Sequence, residues 1–214
     1  MYLRALVDRI CRDPDKAREA LVREYGSLSF ALEADPRDLA LSLPGEANAA
    51  ALLGLLRHAA RYVHVEAFGP HPMLSSLTRC REYVKALYVG AFYERCAMLC
   101  LDARFRLIRC VMMASGSISE VQFYHRQIAE EALRSGAAYV VVTHNHPSGL
   151  LHFSLQDLQT TRRAAQHLSA LRVTLLDHIL TADSDTYSLR QSGVLPPESW
   201  GGGNERMIEK WIKS

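Results

Sequence analysis

The run Tyr139-Val140-Val141-Val142 places the tightest constraint on the fold. Consecutive β-branched residues favour extended backbone, and an uninterrupted apolar run leaves no face for water, so the segment reads as a buried strand. Helical patterns flank it. Ser119 to Ser135 reads as a helix, with Ser119 at its cap, Ile128, Ala129, Ala132 and Leu133 as its apolar stripe, and Gly136 as its stop. Ser154 opens a second helix that runs to about Leu171. Upstream, Cys96 to Leu101 and Arg106 to Met112 read as two strands joined by a turn at Asp102-Ala103-Arg104. Downstream, Val173 to Leu180 is another apolar run, and Tyr187 to Leu189 a short last strand. Strands alternating with helices imply a layered α/β core.

The texture differs before residue 79. Residues 1–66 read as short helices: Leu3, Leu6, Val7 and Ile10 share one face, Gly26 stops a second helix, Asp35-Pro36 starts another, and Ala47 to Val65 forms one amphipathic stretch. Residues 67–78, with two prolines, a glycine and serines, read as a linker. The α/β pattern occupies 79–195. Residues 196–214 read as a tail, broken by Pro196-Pro197 and Gly201-Gly202-Gly203, with two helical turns exposing Trp211.

Composition narrows the function. The 214 residues suit one domain with a small helical appendage, and 49% apolar with 22% charged residues argues against disorder. Net charge is +2 from 25 basic and 23 acidic residues, and residues 1–66 hold nine basic and ten acidic ones. No basic stripe of the kind that grips nucleic acid is present. No segment approaches the ~20 apolar residues that span a membrane. The first residues lack the pattern of a secretion signal. Five cysteines with no CxxC pair fit reduced thiols, so a cytoplasmic location is expected.

The chemistry concentrates in Thr143-His144-Asn145-His146-Pro147-Ser148-Gly149, followed by Ser154 and Asp157. At a strand's period of two, His144 and His146 point the same way. A sharp turn then leads to Asp157 in the first turn of the next helix. Two imidazoles and one carboxylate with a fourth position left for water is the donor set of a catalytic zinc. Ser154 and Asp157 also fit a helix cap, and the two readings of Asp157 are compatible.

His-x-His, then ten residues, then Asp, with Ser three residues before that Asp, resembles the JAMM metal-binding motif. The form HNHPSG…S-x-x-D, followed by Leu176-Asp177-His178-Ile179, resembles the RadC-like branch of the JAB/MPN metalloprotease superfamily over roughly residues 80–195. The resemblance implies a cytidine-deaminase-like mixed sheet flanked by helices. It implies one zinc per chain held by His144, His146 and Asp157. It assigns Glu94, found at the family's spacing before Asp102 in ERCAMLCLD, to the proton of the attacking water, and Ser154 to the oxyanion. Asp177 and His178 read first as core packing and second as support for the ligands. The implied activity is hydrolysis of a peptide, isopeptide or related amide, with a peptide or protein as substrate and no membrane partner.

Two departures stand out. The loop after HNHPSG, usually polar in the family, is Leu150-Leu151-His152-Phe153 here, either a substrate wall or a cover. Residues 1–66 resemble the family's helix-hairpin-helix module in degenerate form: the turn reads Gly45-Glu46-Ala47, with an acid where a phosphate would approach. The alternative reading is a DNA-associated repair or recombination protein, acting as nuclease or scaffold. A metal-free interaction module is a third.

Overall fold

The computed structural model describes residues 2–32, 34–91, 93–113, 121–201 and 204–214. The chain divides into two compact units, residues 1–64 with 89–93, and residues 65–88 with 94–214.

The first unit is helical. It contains α1 (Tyr2–Ile10), α2 (Pro14–Tyr25), α3 (Leu28–Ala31), α4 (Pro36–Ser42) and most of α5 (Ala47–Glu66). Asp13, Ser27 and Asp35 each cap the helix that follows by accepting a backbone N–H. Val7, Leu21, Leu39, Leu43, Ala50 and Leu53 form its core. Gly54 lets α5 approach α4: a Cβ there would stand 2.8 Å from Pro36 Cγ. Glu46 turns inward, and its carboxylate accepts the backbone N–H of Arg12 at 2.6 Å and of Asp13 at 3.3 Å.

The second unit is a five-stranded mixed sheet flanked by helices, in the order β2-β1-β3-β4-β5. Its elements are α6 (Leu77–Leu87), β1 (Cys96–Leu101), β2 (Leu107–Met112), α7 (Val121–Ser135), β3 (Tyr139–Asn145), α8 (Leu155–Ala170), β4 (Thr174–Ala182), β5 (Asp185–Ser188), α9 (Leu189–Ser192) and α10 (Glu205–Lys213). Among the described residues only β3 and β4 pair in parallel, and α8 makes the crossover between them. Val140 and Val142 face Ile128 and Ala132 of α7 and Ala164 and Leu168 of α8 in one apolar cluster. The α6 helix packs against β4 and β5. Ser119 and the cap expected of it lie outside the described residues.

A bulge sets the phase of β4. Val140 pairs with Leu175, but Val141 pairs with Asp177, so Leu176 is the extra residue. Before the bulge Leu175 joins the cluster under α7 and α8; after it, Leu180 does, with His178 paired to Val142.

Two expectations are corrected. The segment 67–78 is more than a connection: Leu74 and Leu77 are buried, and Leu74 N–H bonds Phe105 O at 2.8 Å. Trp211, expected to be exposed, is 1% accessible, and its indole N–H donates to Leu74 O at 2.8 Å. The cause is the amphipathic pattern of α10, which turns Ile208 and Trp211 inward together.

Candidate metal centre

Strand register brings the first carboxylate to the histidines. Cys96 pairs antiparallel with His144. The ladder runs one step further, as Asn145 N–H bonds Arg95 O at 3.2 Å and Arg95 N–H bonds Asn145 Oδ1 at 2.8 Å. The next step sets Glu94 across from His146. Glu94, His144 and His146 each offer one ligand atom, all within 4.8 Å of one another. Glu94 is exposed, His146 half-buried and His144 buried, so the trio opens to solvent on the glutamate side.

The imidazoles are held from behind. His146 Nδ1 lies 2.8 Å from Leu150 O. A carbonyl only accepts, so Nδ1 carries the hydrogen and Nε2 is left as the ligand atom. His144 Nδ1 lies 2.9 Å from His178 Nε2, and His144 Nε2 lies 3.1 Å from His146 Nε2. Burial pushes the His144 imidazolium down to about 4, against a smaller upward pull from Asp157 and a further downward push from His146. The imidazole is therefore neutral near pH 7, the form that binds metal.

Asp157 adjoins the trio from α8. Its Oδ1 is 3.9 Å from His144 Nε2. Its Oδ2 accepts Ser154 N–H at 2.8 Å and Ser154 O–H at 2.6 Å, and its own N–H returns to Ser154 Oγ at 3.1 Å. This capping box fixes the carboxylate with one oxygen turned toward His144. The same bonds engage the Ser154 hydroxyl with Asp157.

The donor set fits a divalent cation. Two Nε2 atoms facing each other at 3.1 Å repel unless a hydrogen or a cation lies between them. Two imidazoles with carboxylates beside them suit zinc among the common metals.

Phe153 covers the back of the site. It is buried, with its ring centroid 5.5 Å from that of His144 and 4.9 Å from that of His178. In the same loop Leu150 is exposed while Leu151 packs on the core. Gly149 is left-handed at φ 79°, and a Cβ there would meet Asp183 Oδ2 at 2.9 Å.

Residues 74–194 match the RadC-like JAB domain family. The chain belongs to that family. A UPF0758 protein of Bordetella pertussis is 35% identical over 82% of this chain and 78% of its own length. A UPF0758 protein of Ectopseudomonas mendocina is 35% identical over 86% and 81% respectively. One from Acidithiobacillus ferrooxidans is 35% identical over 84% and 80%. In this JAB domain the end of β3 carries His144, the residue just past it is His146, the residues before β1 carry Glu94, and the start of α8 carries Asp157 and Ser154.

His178, read from the sequence first as core packing and second as support for the ligands, stands directly behind His144, and Thr161, which the sequence reading did not single out, stands behind His178. His178 Nδ1 lies 2.6 Å from Thr161 Oγ1. Asp177 points elsewhere: it accepts His178 N–H, Ser188 O–H and Arg190 N–H, and ties β4 to α9.

Proposed function

We propose that this JAB domain is a zinc-dependent JAMM-type hydrolase that cleaves a peptide, isopeptide or related amide bond. The observation that carries the reading is the pair of Nε2 atoms at 3.1 Å with the Glu94 carboxylate within 4.8 Å of both. His144, His146 and Asp157 would hold the metal. When bound, zinc would lower the pKa of water to about 7 and polarise a carbonyl oxygen.

Glu94 is the exposed member of the trio and makes the base. Its carboxylate accepts a proton from the attacking water and returns it to the leaving nitrogen. Leu150 O holds the hydrogen of His146 on Nδ1 and so leaves Nε2 toward the metal position, while His178 engages the outer nitrogen of His144. Ser154, whose O–H rests on Asp157 Oδ2, would turn that hydrogen to the developing oxyanion. Phe153 keeps water from the rear of the imidazoles.

The test is hydrolysis of a mixture of peptides and isopeptide-linked conjugates by the zinc-loaded protein, read by mass spectrometry. Cleavage is expected from the parent and not from Glu94→Gln, with zinc retained in both. No cleavage by the zinc-loaded parent, or equal cleavage by the variant, contradicts the reading.

A further inference from the structure

The geometry points to His178 and Thr161 as positioning residues that set the tautomer of His144 and couple it to the helix carrying Asp157. This inference rests on the metal-centre reading above and adds to it two residues outside the metal-binding motif.

Hydrogen arithmetic gives the direction of the chain. Thr161 Oγ1 lies 2.6 Å from Asp157 O, which can only accept, so the one hydroxyl hydrogen of Thr161 is committed there. Toward His178 the hydroxyl can then only accept, so His178 Nδ1 carries a hydrogen at 2.6 Å. His178 is buried, and the bonds of its two ring nitrogens go to the Thr161 hydroxyl and to His144, neither of them a carboxylate that would offset a second ring hydrogen. A neutral ring has one hydrogen, so His178 Nε2 accepts. The hydrogen in its 2.9 Å contact with His144 therefore sits on His144 Nδ1. His144 Nε2 is left with its lone pair turned toward His146 and Asp157.

The relay joins three elements: His144 on β3, His178 on β4, and Thr161 with Asp157 on α8. It closes a circuit. Thr161 bonds the backbone oxygen of the residue whose carboxylate faces His144. The imidazole and the carboxylate are thereby held by one network, which limits their relative movement. The β4 bulge at Leu176 is what turns His178 into line with Val142 and toward His144. Outer partners of this kind commonly change metal affinity by about 10- to 100-fold.

Thr161 gives the sharper test, because it touches neither His144 nor the metal position. In Thr161→Val the side chain keeps its shape but loses the acceptor for His178 Nδ1–H. His178 is then free to carry its hydrogen on Nε2, which forces the His144 hydrogen onto the ligand atom. In Thr161→Ser the hydroxyl is kept and a methyl is lost. Packing alone ranks valine above serine; the relay ranks serine above valine.

The experiment is zinc affinity, by competition with a chelator, for the full chain and for Thr161→Val, Thr161→Ser, His178→Gln and His178→Phe. Unfolding of each metal-free protein reports stability separately. The expected result is affinity within about 3-fold of the parent for Thr161→Ser and His178→Gln, whose side-chain oxygen can still accept from His144. A loss of about 10-fold or more is expected for Thr161→Val and His178→Phe. Equal affinity in Thr161→Val and the parent, or a greater loss in Thr161→Ser than in Thr161→Val, overturns the relay while the metal centre stands. Absence of zinc uptake by the parent overturns both.

Discussion

Ser154 and Asp157 bond each other in both directions: the serine N–H and O–H meet Asp157 Oδ2 at 2.8 and 2.6 Å, and Asp157 N–H returns to Ser154 Oγ at 3.1 Å. One carboxylate oxygen is thus assigned to the helix start and the other to His144. Ser154→Ala is expected to lower stability by about 1 kcal/mol, the usual worth of a helix cap. Because the two residues share these bonds, the double variant Ser154→Ala with Asp157→Ala should cost less than the sum of the singles. Urea unfolding of the four proteins checks this, and strict additivity would count against the reciprocal cap.

Asp177 gives a pH signature independent of any metal. Burial raises its carboxyl from 3.8 to about 6, against the lowering effect of its three hydrogen bonds. A group with a raised folded value contributes stability that is full below its unfolded value and is lost as pH rises through the folded one. The stability of the parent relative to Asp177→Asn should therefore fall by roughly 2 kcal/mol between about pH 4 and about pH 7. Denaturant unfolding of both proteins across that window measures the difference. A flat difference would mean that Asp177 titrates normally.

Phe153 covers His144 and His178 with ring centroids 5.5 and 4.9 Å away. Phe153→Ala should cost about 3 kcal/mol as a buried aromatic truncation, and Phe153→Leu clearly less. If thermal unfolding finds Phe153→Ala within about 0.5 kcal/mol of the parent, the range of an ordinary surface change, the loop does not close the rear of the site.

Trp211 fastens α10 to the segment before α6 through its bond to Leu74 O at 2.8 Å. Trp211→Phe keeps a ring but leaves that buried carbonyl unpaired, at about 1–3 kcal/mol. Trp211→Ala adds the loss of packing and should cost more. Unfolding midpoints in the order parent, Phe, Ala are expected, and three equal midpoints would contradict the placement of this helix.

Local pattern made much of this fold legible. The apolar run Cys96–Leu101 marked β1 between Glu94 and Asp102, the valine run marked β3, and Ser154 marked the start of α8. These signals are local, since each depends on propensity or on a cap within a few residues. Strand period and the helix start pointed to His144, His146 and Asp157, and the resemblance added Glu94 and the oxyanion role of Ser154. The structure brings Glu94 to the two histidines through the β1–β3 register, which no local pattern encodes. The sequence left open, for a similar reason, whether Asp177 or His178 supports the ligands. Alternation places Asp177 and His178 on opposite faces, but only the bulge at Leu176 decides which of them faces the site. The burial of Trp211 could have been read, because Ile208 and Trp211 stand three apart on one helical face. The prolines and glycines before that helix obscured it.

The central claim is that the facing Nε2 atoms of His144 and His146 form a metal centre. Elemental analysis of the purified parent, His146→Ala and Glu94→Gln tests it most directly. One zinc per chain is expected in the parent and in Glu94→Gln, with loss in His146→Ala. A parent that takes up no metal when zinc is supplied, or a His146→Ala protein that holds as much as the parent, would contradict the account.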